Sequence, residues 1–135
     1  MFAPRREKFR KQFRGKRRGL AQRGSELAFG DIGVKSLGRG WLSAAQIESG
    51  RRAITNSLKR KGRIWVRVFP DKPITSRPAG QRMGSGKGEV SHHAAVVVPG
   101  RVIYELAGVE REVAISALKK AGDKMPFKMK VIIRD

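Results

Sequence analysis

Cysteine is absent from the 135 residues, which excludes a disulfide scaffold, a thiolate metal site and a cysteine nucleophile. Acidic side chains are scarce: 11 Asp and Glu stand against 31 Lys and Arg, for a formal charge of +20 and an isoelectric point near 11.6. No apolar run approaches the ~20 residues that a membrane span requires. The opening Met1–Phe2–Ala3–Pro4 leads straight into a charge run, with no apolar core of a signal peptide. Neither secretion nor insertion into a membrane is expected, and synthesis in the compartment where the protein works is favoured. Histidine is limited to His92 and His93. Neighbours on a strand point to opposite faces, so the two do not readily share a metal, and no carboxylate is spaced to help. No nucleophile–base–acid set can be assembled. No cofactor, metal or enzymatic activity is therefore expected.

What the sequence has in excess is cationic charge. A 15.0 kDa chain at +20 repels itself unless a polyanion neutralises it. Nucleic acid is the first candidate partner, an anionic membrane the second and an acidic protein the third. The charge is unevenly spread. Residues 1–90 hold 23 basic and 6 acidic residues, against 8 and 5 in residues 91–135. The first part is expected to carry the polyanion contact, and the second reads as scaffold. Hydrophobic residues, at 39%, suffice for a modest core.

Residues 1–23 hold ten basic residues and one acid, Glu7. Such a stretch cannot bury enough surface to offset its ordering entropy. It is expected to be an arm that orders on a partner, with Phe9 and Phe13 available to stack on nucleotides or to anchor the arm on the domain. A solvated basic tail is the alternative. Residues 24–42 are Gly-rich and predict one or two strands with a bulge or tight bend. Gly38–Arg39–Gly40 reads as a turn presenting an arginine.

Residues 43–61 predict a helix. Ser43 and Gln46 form a capping box, Leu42 and Ile47 a hydrophobic staple, and Gly62 stands where a left-handed cap is wanted. Ile47, Ile54 and Leu58 share one face, and Arg51, Arg52, Lys59 and Arg60 spread over the other. That basic face is either a phosphate contact or an ordinary solvated surface. Residues 63–69, RIWVRVF, alternate with period two: Ile64, Val66 and Val68 face the core, while Arg63, Trp65, Arg67 and Phe69 lie on a face that suits a helix or RNA. Three prolines in 70–78 exclude a central strand there. Residues 79–89 form a Gly-rich loop with Arg82 and Lys87. It lacks the spacing of a P-loop or a dinucleotide fingerprint, and better suits backbone laid close to phosphates. Residues 90–98 and 101–106 predict a hairpin about Pro99–Gly100. A second helix over 110–122 places Val113, Ala114, Ala117, Leu118 and Ala121 on one face, and 127–133 closes the chain as a strand. The expected class is α+β, a sandwich of two helices on a mixed or antiparallel sheet, with one domain over 24–135 and a loop at 76–90.

Several strings are specific beyond composition: PRREKFRKQFRG at 4–15, GRGWLSAAQIESGRRAIT at 38–55, KRKGRIWVRVFPDKPIT at 59–75, RMGSGKG at 82–88 and PGRVIYEL at 99–106. In this order they resemble the bacterial-type large-subunit ribosomal protein sixteen family over nearly the whole chain. The resemblance implies an α/β-hammerhead sandwich with an extended basic arm. It also implies binding to large-subunit (23S-type) rRNA beside neighbouring ribosomal proteins, without homo-oligomerisation, and help in shaping the aminoacyl-tRNA site near the peptidyl transferase centre. It implies rRNA contact by Arg5, Arg6, Lys8, Arg10, Lys11, Arg14, Lys16, Arg17, Arg18, Arg39, Arg51, Arg52, Lys59 and Arg60. It implies a tRNA-proximal loop containing Arg77, Arg82, Met83, Gly84, Gly86 and Lys87. The ribosome would be that of the bacterial cytoplasm, or of a mitochondrion or plastid. The main alternative is a free basic protein that compacts or regulates nucleic acid. It would be expected to carry a helix-turn-helix pair or dimer contacts, and no such spacing is evident.

Overall fold

A computed structural model describes residues 3–8, 11–12, 17, 19–76, 87 and 89–134. The elements run β1 (Ile32–Ser36), β2 (Gly40–Ser43), α1 (Ala44–Leu58), β3 (Arg63–Val66), β4 (Lys72–Ser76), β5 (Glu89–Val97), β6 (Val102–Ala107), α2 (Arg111–Gly122) and β7 (Met129–Ile133). The α+β class expected from the sequence is what is found. The strands divide into two sheets, one of four strands in the order β3-β6-β1-β7 and one of three in the order β2-β5-β4. Every pairing among the described residues is antiparallel.

The helix α1 forms where its cap chemistry and apolar spacing agree. The Ser43 Oγ accepts the Gln46 N–H (3.2 Å), and the Gln46 Oε1 accepts the Ser43 N–H (2.9 Å), so two orphan donors are satisfied reciprocally. Ile47, Ile54 and Leu58 are buried on one face. The left-handed cap does not fall on Gly62. Lys59 (φ 53°) and Arg60 (φ 64°) take that conformation directly after the last turn, and Gly62 (φ 73°) only redirects the chain into β3. The last apolar anchor, Leu58, sets the helix end here, ahead of the glycine. In α2, Ala114, Ala117, Leu118 and Ala121 are buried as expected, but Val113 is exposed. The small residues already fill that face, and Val113 falls outside their arc.

Three further features differ from the sequence reading. The predicted 90–98/101–106 hairpin is not formed: β5 pairs with β2 and β4, whereas β6 pairs with β1 and β3. Pro99 and Gly100 (φ 95°) carry the chain from one sheet to the other. Residues 72–76 form a strand that the sequence reading did not foresee, though it agrees with the exclusion of a central one. It is an edge strand, where the missing N–H of Pro73 is tolerated. The strand at 63–69 is shorter than its alternation, although the Arg67 N–H still donates to the Ile103 carbonyl (2.8 Å) and Val68 is still buried.

The helices pack on each other, with α2 against β1 and β7 and α1 against β2, β3 and β5, so α1 ties the two sheets together. The close approach is set at Gly50, where a Cβ would lie 2.4 Å from Tyr104 Oη and 2.6 Å from Met125 Cε. Fully buried Tyr104 donates its hydroxyl to the Ile47 carbonyl (2.6 Å). Burial, and then Glu48, push its phenol far above its ordinary range.

Candidate nucleic-acid interface

The described part of the N-terminal segment is laid along the three-stranded sheet. The Glu7 carboxylate meets the His93 imidazole on β5. The Lys11 Nζ donates to the Lys87 carbonyl (3.2 Å), and the Lys87 Nζ donates to the Gln12 carbonyl. Arg39 leaves the Gly38–Arg39–Gly40 turn exposed, and its guanidinium donates to the carbonyls of Arg17 (3.1 Å) and Gly19. The turn is fixed by Ser36, whose Oγ accepts the Gly38 N–H (3.1 Å) and donates to the Gly38 carbonyl (2.6 Å). Arg39 thus holds the segment to the body, a role that the sequence reading did not assign it.

Cations converge on Trp41 of β2. The Arg17 guanidinium carbon lies 4.9 Å, and the Lys72 Nζ 5.6 Å, from its ring centroid. Gln12, Trp41, Lys72, Thr75 and Lys87 are among the residues that line a cavity of about 360 Å³. Burial first, and then the charges of Lys87 and Arg17, hold the Lys72 ammonium below the usual lysine range. Mutual repulsion of this kind is relieved by an anion, and phosphate is the anion that nucleic acid supplies.

On α1 the basic residues are unequal. The Glu48 carboxylate takes the Arg51 guanidinium at both oxygens and the Arg52 Nε at 3.1 Å. The hydrogen bond from Arg51 leads, burial opposing, in holding Glu48 down to about 2. Arg51 is raised in turn, its hydrogen bond to Glu48 outweighing burial. Arg52 remains 71% exposed and can still offer donors to a phosphate, while Arg51 is largely committed. Lys59 and Arg60 are exposed at the helix end. Arg5, Arg6 and Lys8 are exposed, and so is Lys87. Arg10, Arg14, Lys16, Arg18, Arg77, Arg82, Met83, Gly84 and Gly86 lie outside the described residues, as do Phe9 and Phe13.

One arrangement was missed by the sequence reading. Glu105 on β6 is fully buried. Its Oε1 accepts the N–H groups of Ala28 (2.8 Å), Phe29 (3.0 Å) and Gly30 (3.0 Å), and its Oε2 accepts Arg67. Burial alone would raise this carboxyl. The Gly30 N–H, Arg67 and the other two N–H groups together outweigh it and hold the carboxyl below its ordinary range. The available signal was an acid inside the apolar run Val102–Leu106. His92 is exposed beside Ser91 (2.9 Å), while His93 is partly buried against Glu7, so the pair splits as its strand position requires.

No group of three or more acidic or histidine side chains is placed to hold a metal among the described residues. Nor, among them, is any helix long and apolar enough to cross a membrane. The helices α1 and α2 are separated by four strands, unlike a helix-turn-helix. What the described surface offers is exposed cations, among them Arg5, Arg6, Lys8, Arg39, Arg52, Lys59 and Arg60. Against that background the chain matches the family described as ribosomal protein L16p/L10e over residues 4–132. It belongs to that family, whose members are structural, non-enzymatic constituents of the large ribosomal subunit.

Proposed function

We propose that this protein binds large-subunit rRNA through its cationic first ninety residues and helps to position aminoacyl-site tRNA near the peptidyl transferase centre. It works within the ribosome of a bacterium or of an organelle. Residues 1–23 act as an arm, residues 24–135 as one folded unit, and residues 76–90 as a loop directed towards tRNA. The observation that carries this reading is the family match from residue 4 to residue 132, combined with 23 of 31 cations in the first ninety residues.

The mechanism is charge neutralisation and positioning. Each Arg or Lys that meets a phosphate releases counterions, and Arg, present 18 times against 13 Lys, adds bidentate geometry and stacking. The rRNA contacts are assigned to Arg5, Arg6, Lys8, Arg10, Lys11, Arg14, Lys16, Arg17, Arg18, Arg39, Arg51, Arg52, Lys59 and Arg60. Arg77, Arg82, Met83, Gly84, Gly86 and Lys87 are assigned to the tRNA side. The Trp41 cluster supports the first set, because Arg17 and Lys72 both lie against one aromatic ring. The protein holds RNA in place, and the RNA performs the chemistry.

Sedimentation of ribosomes in moderate salt tests the reading: the chain is expected to travel with the large subunit. Deletion of residues 1–20 is expected to impair incorporation, whereas Arg82→Ala is expected to weaken tRNA accommodation more than assembly. A truncated chain that incorporates normally contradicts the arm, and an Arg82→Ala ribosome that accommodates tRNA normally contradicts the loop.

A further inference from the structure

An aromatic shelf lies outside the residues assigned above. Phe29 is 61% exposed, yet it is not left to chance. Its own N–H and those of its two neighbours are bound by buried Glu105, so the backbone that carries it is fixed from beneath. Its ring stacks on Trp65 of β3, with centroids 6.0 Å apart and planes 20° from parallel. The Arg67 guanidinium lies 5.5 Å from the Phe29 ring centroid and is itself held by Glu105. Arg67 is therefore a positioning residue: its charge is matched inside the protein, and its plane supports the ring. Arg63 shares the face of Trp65 two residues along the strand, about 7 Å away, and is exposed. β3 is the edge of its sheet, so among the described residues no strand pairs along its outer side.

A large exposed aromatic ring, locked by a buried carboxylate and backed by a second ring, is a surface prepared for a flat partner. The exposed charge beside it on the strand, Arg63, is cationic and complements a phosphate. We infer that Phe29 and Trp65 form a stacking shelf for one unpaired RNA base, with Arg63 on the phosphate flanking it. The inference rests on the RNA-binding reading and adds to it a contact that reads an unstacked base, where the assigned sites meet backbone charge. Because stacking involves no counterion release, it contributes to affinity without changing the salt slope.

The test measures binding of the full chain to two RNA probes: a short single strand carrying one 2-aminopurine, whose fluorescence falls on stacking, and a duplex of the same length. Wild type is compared with Phe29→Ala, Phe29→Leu and Phe29→Tyr, each checked for an unchanged melting temperature. Phe29→Ala and Phe29→Leu are expected to bind the single strand roughly tenfold more weakly. They should also quench the probe less, keep the wild-type salt slope and bind the duplex as wild type does. Phe29→Tyr, which restores a flat ring, is expected to recover both affinity and quenching. The shelf is overturned if Phe29→Leu matches wild type on the single strand, or if single strand and duplex lose equally. Unchanged RNA affinity in all three variants overturns it in favour of a protein neighbour at this face. A wild-type chain that binds neither probe with salt dependence overturns the RNA-binding reading itself, and the shelf with it.

Discussion

The first ninety residues and the last forty-five do opposite work. The first part carries 23 of the 31 cations. The second supplies β5, the centre of the three-stranded sheet, and β6, an interior strand of the other. Among the described residues it also supplies eleven of the eighteen buried apolar side chains. The opening stretch of thirty residues supplies none of those eighteen, because its charges repel and its apolar residues are sparse. It is ordered by hanging on strands made elsewhere. The Ala21 N–H donates to the Pro99 carbonyl (2.9 Å), the Val102 N–H donates to the Gly24 carbonyl (2.7 Å), and Glu105 gathers residues 28–30. The most cationic stretch is thus joined to the core by a few polar clamps rather than by apolar burial of its own.

The comparison breaks most directly at the clamp. Glu105→Ala leaves three N–H groups and Arg67 without their acceptor and is expected to cost about 3–5 kcal/mol in denaturant unfolding. A loss below about 1 kcal/mol would mean that the first part does not depend on β6 in this way. Next comes the joint between the helix and the central strand. Gly50→Val drives a branched side chain into Tyr104 and Met125 and is expected to cost about 1–3 kcal/mol by the same measurement. Ser43→Ala removes half of the capping box and is expected to cost about 1 kcal/mol, read as a lower denaturation midpoint.

The smallest effect sharpens the contrast through pH. Glu48 is held at about 2 against an ordinary 4.5. Its contribution is therefore fully present above pH 4.5 and is lost as the pH falls through about 2. Glu105 is also depressed and acts in the same direction. Wild type is expected to lose melting temperature across this acid window, and Glu48→Gln to lose less. An identical acid profile in the two proteins would show that the Arg51 and Arg52 pairings contribute nothing to folding.

Local chemistry was legible in the sequence. The Ser43–Gln46 box, the burial of Ile47, Ile54 and Leu58, and the small-residue face of α2 all follow from spacing between near neighbours. Choices made at long range were not. Nothing around Pro99–Gly100 distinguishes a hairpin turn from a crossing between sheets, because the partners of β5 and β6 lie tens of residues away. The prolines excluded a central strand, and β4 is indeed an edge strand, but nothing local showed that a strand would form there at all. At the candidate site, the excess of cations was legible, but their pairing was legible only in part. Glu48 sits three and four residues before Arg51 and Arg52, a spacing open to reading. Glu105 serves residues 75 to 77 positions earlier, which no local pattern reports.

The division of labour is tested most directly by the salt dependence of binding to large-subunit rRNA. Two quadruple variants are compared with wild type, one replacing Arg5, Arg6, Lys8 and Lys11 with Gln, the other Lys119, Lys120, Lys124 and Lys128. Both remove four positive charges, so net charge is matched. The plot of log Kd against log salt is expected to flatten in the first variant, by roughly 0.7–0.9 for each phosphate no longer neutralised, and to keep its wild-type slope in the second. Equal flattening in both variants, or flattening in the second alone, would contradict the assignment of the RNA contact to the first ninety residues.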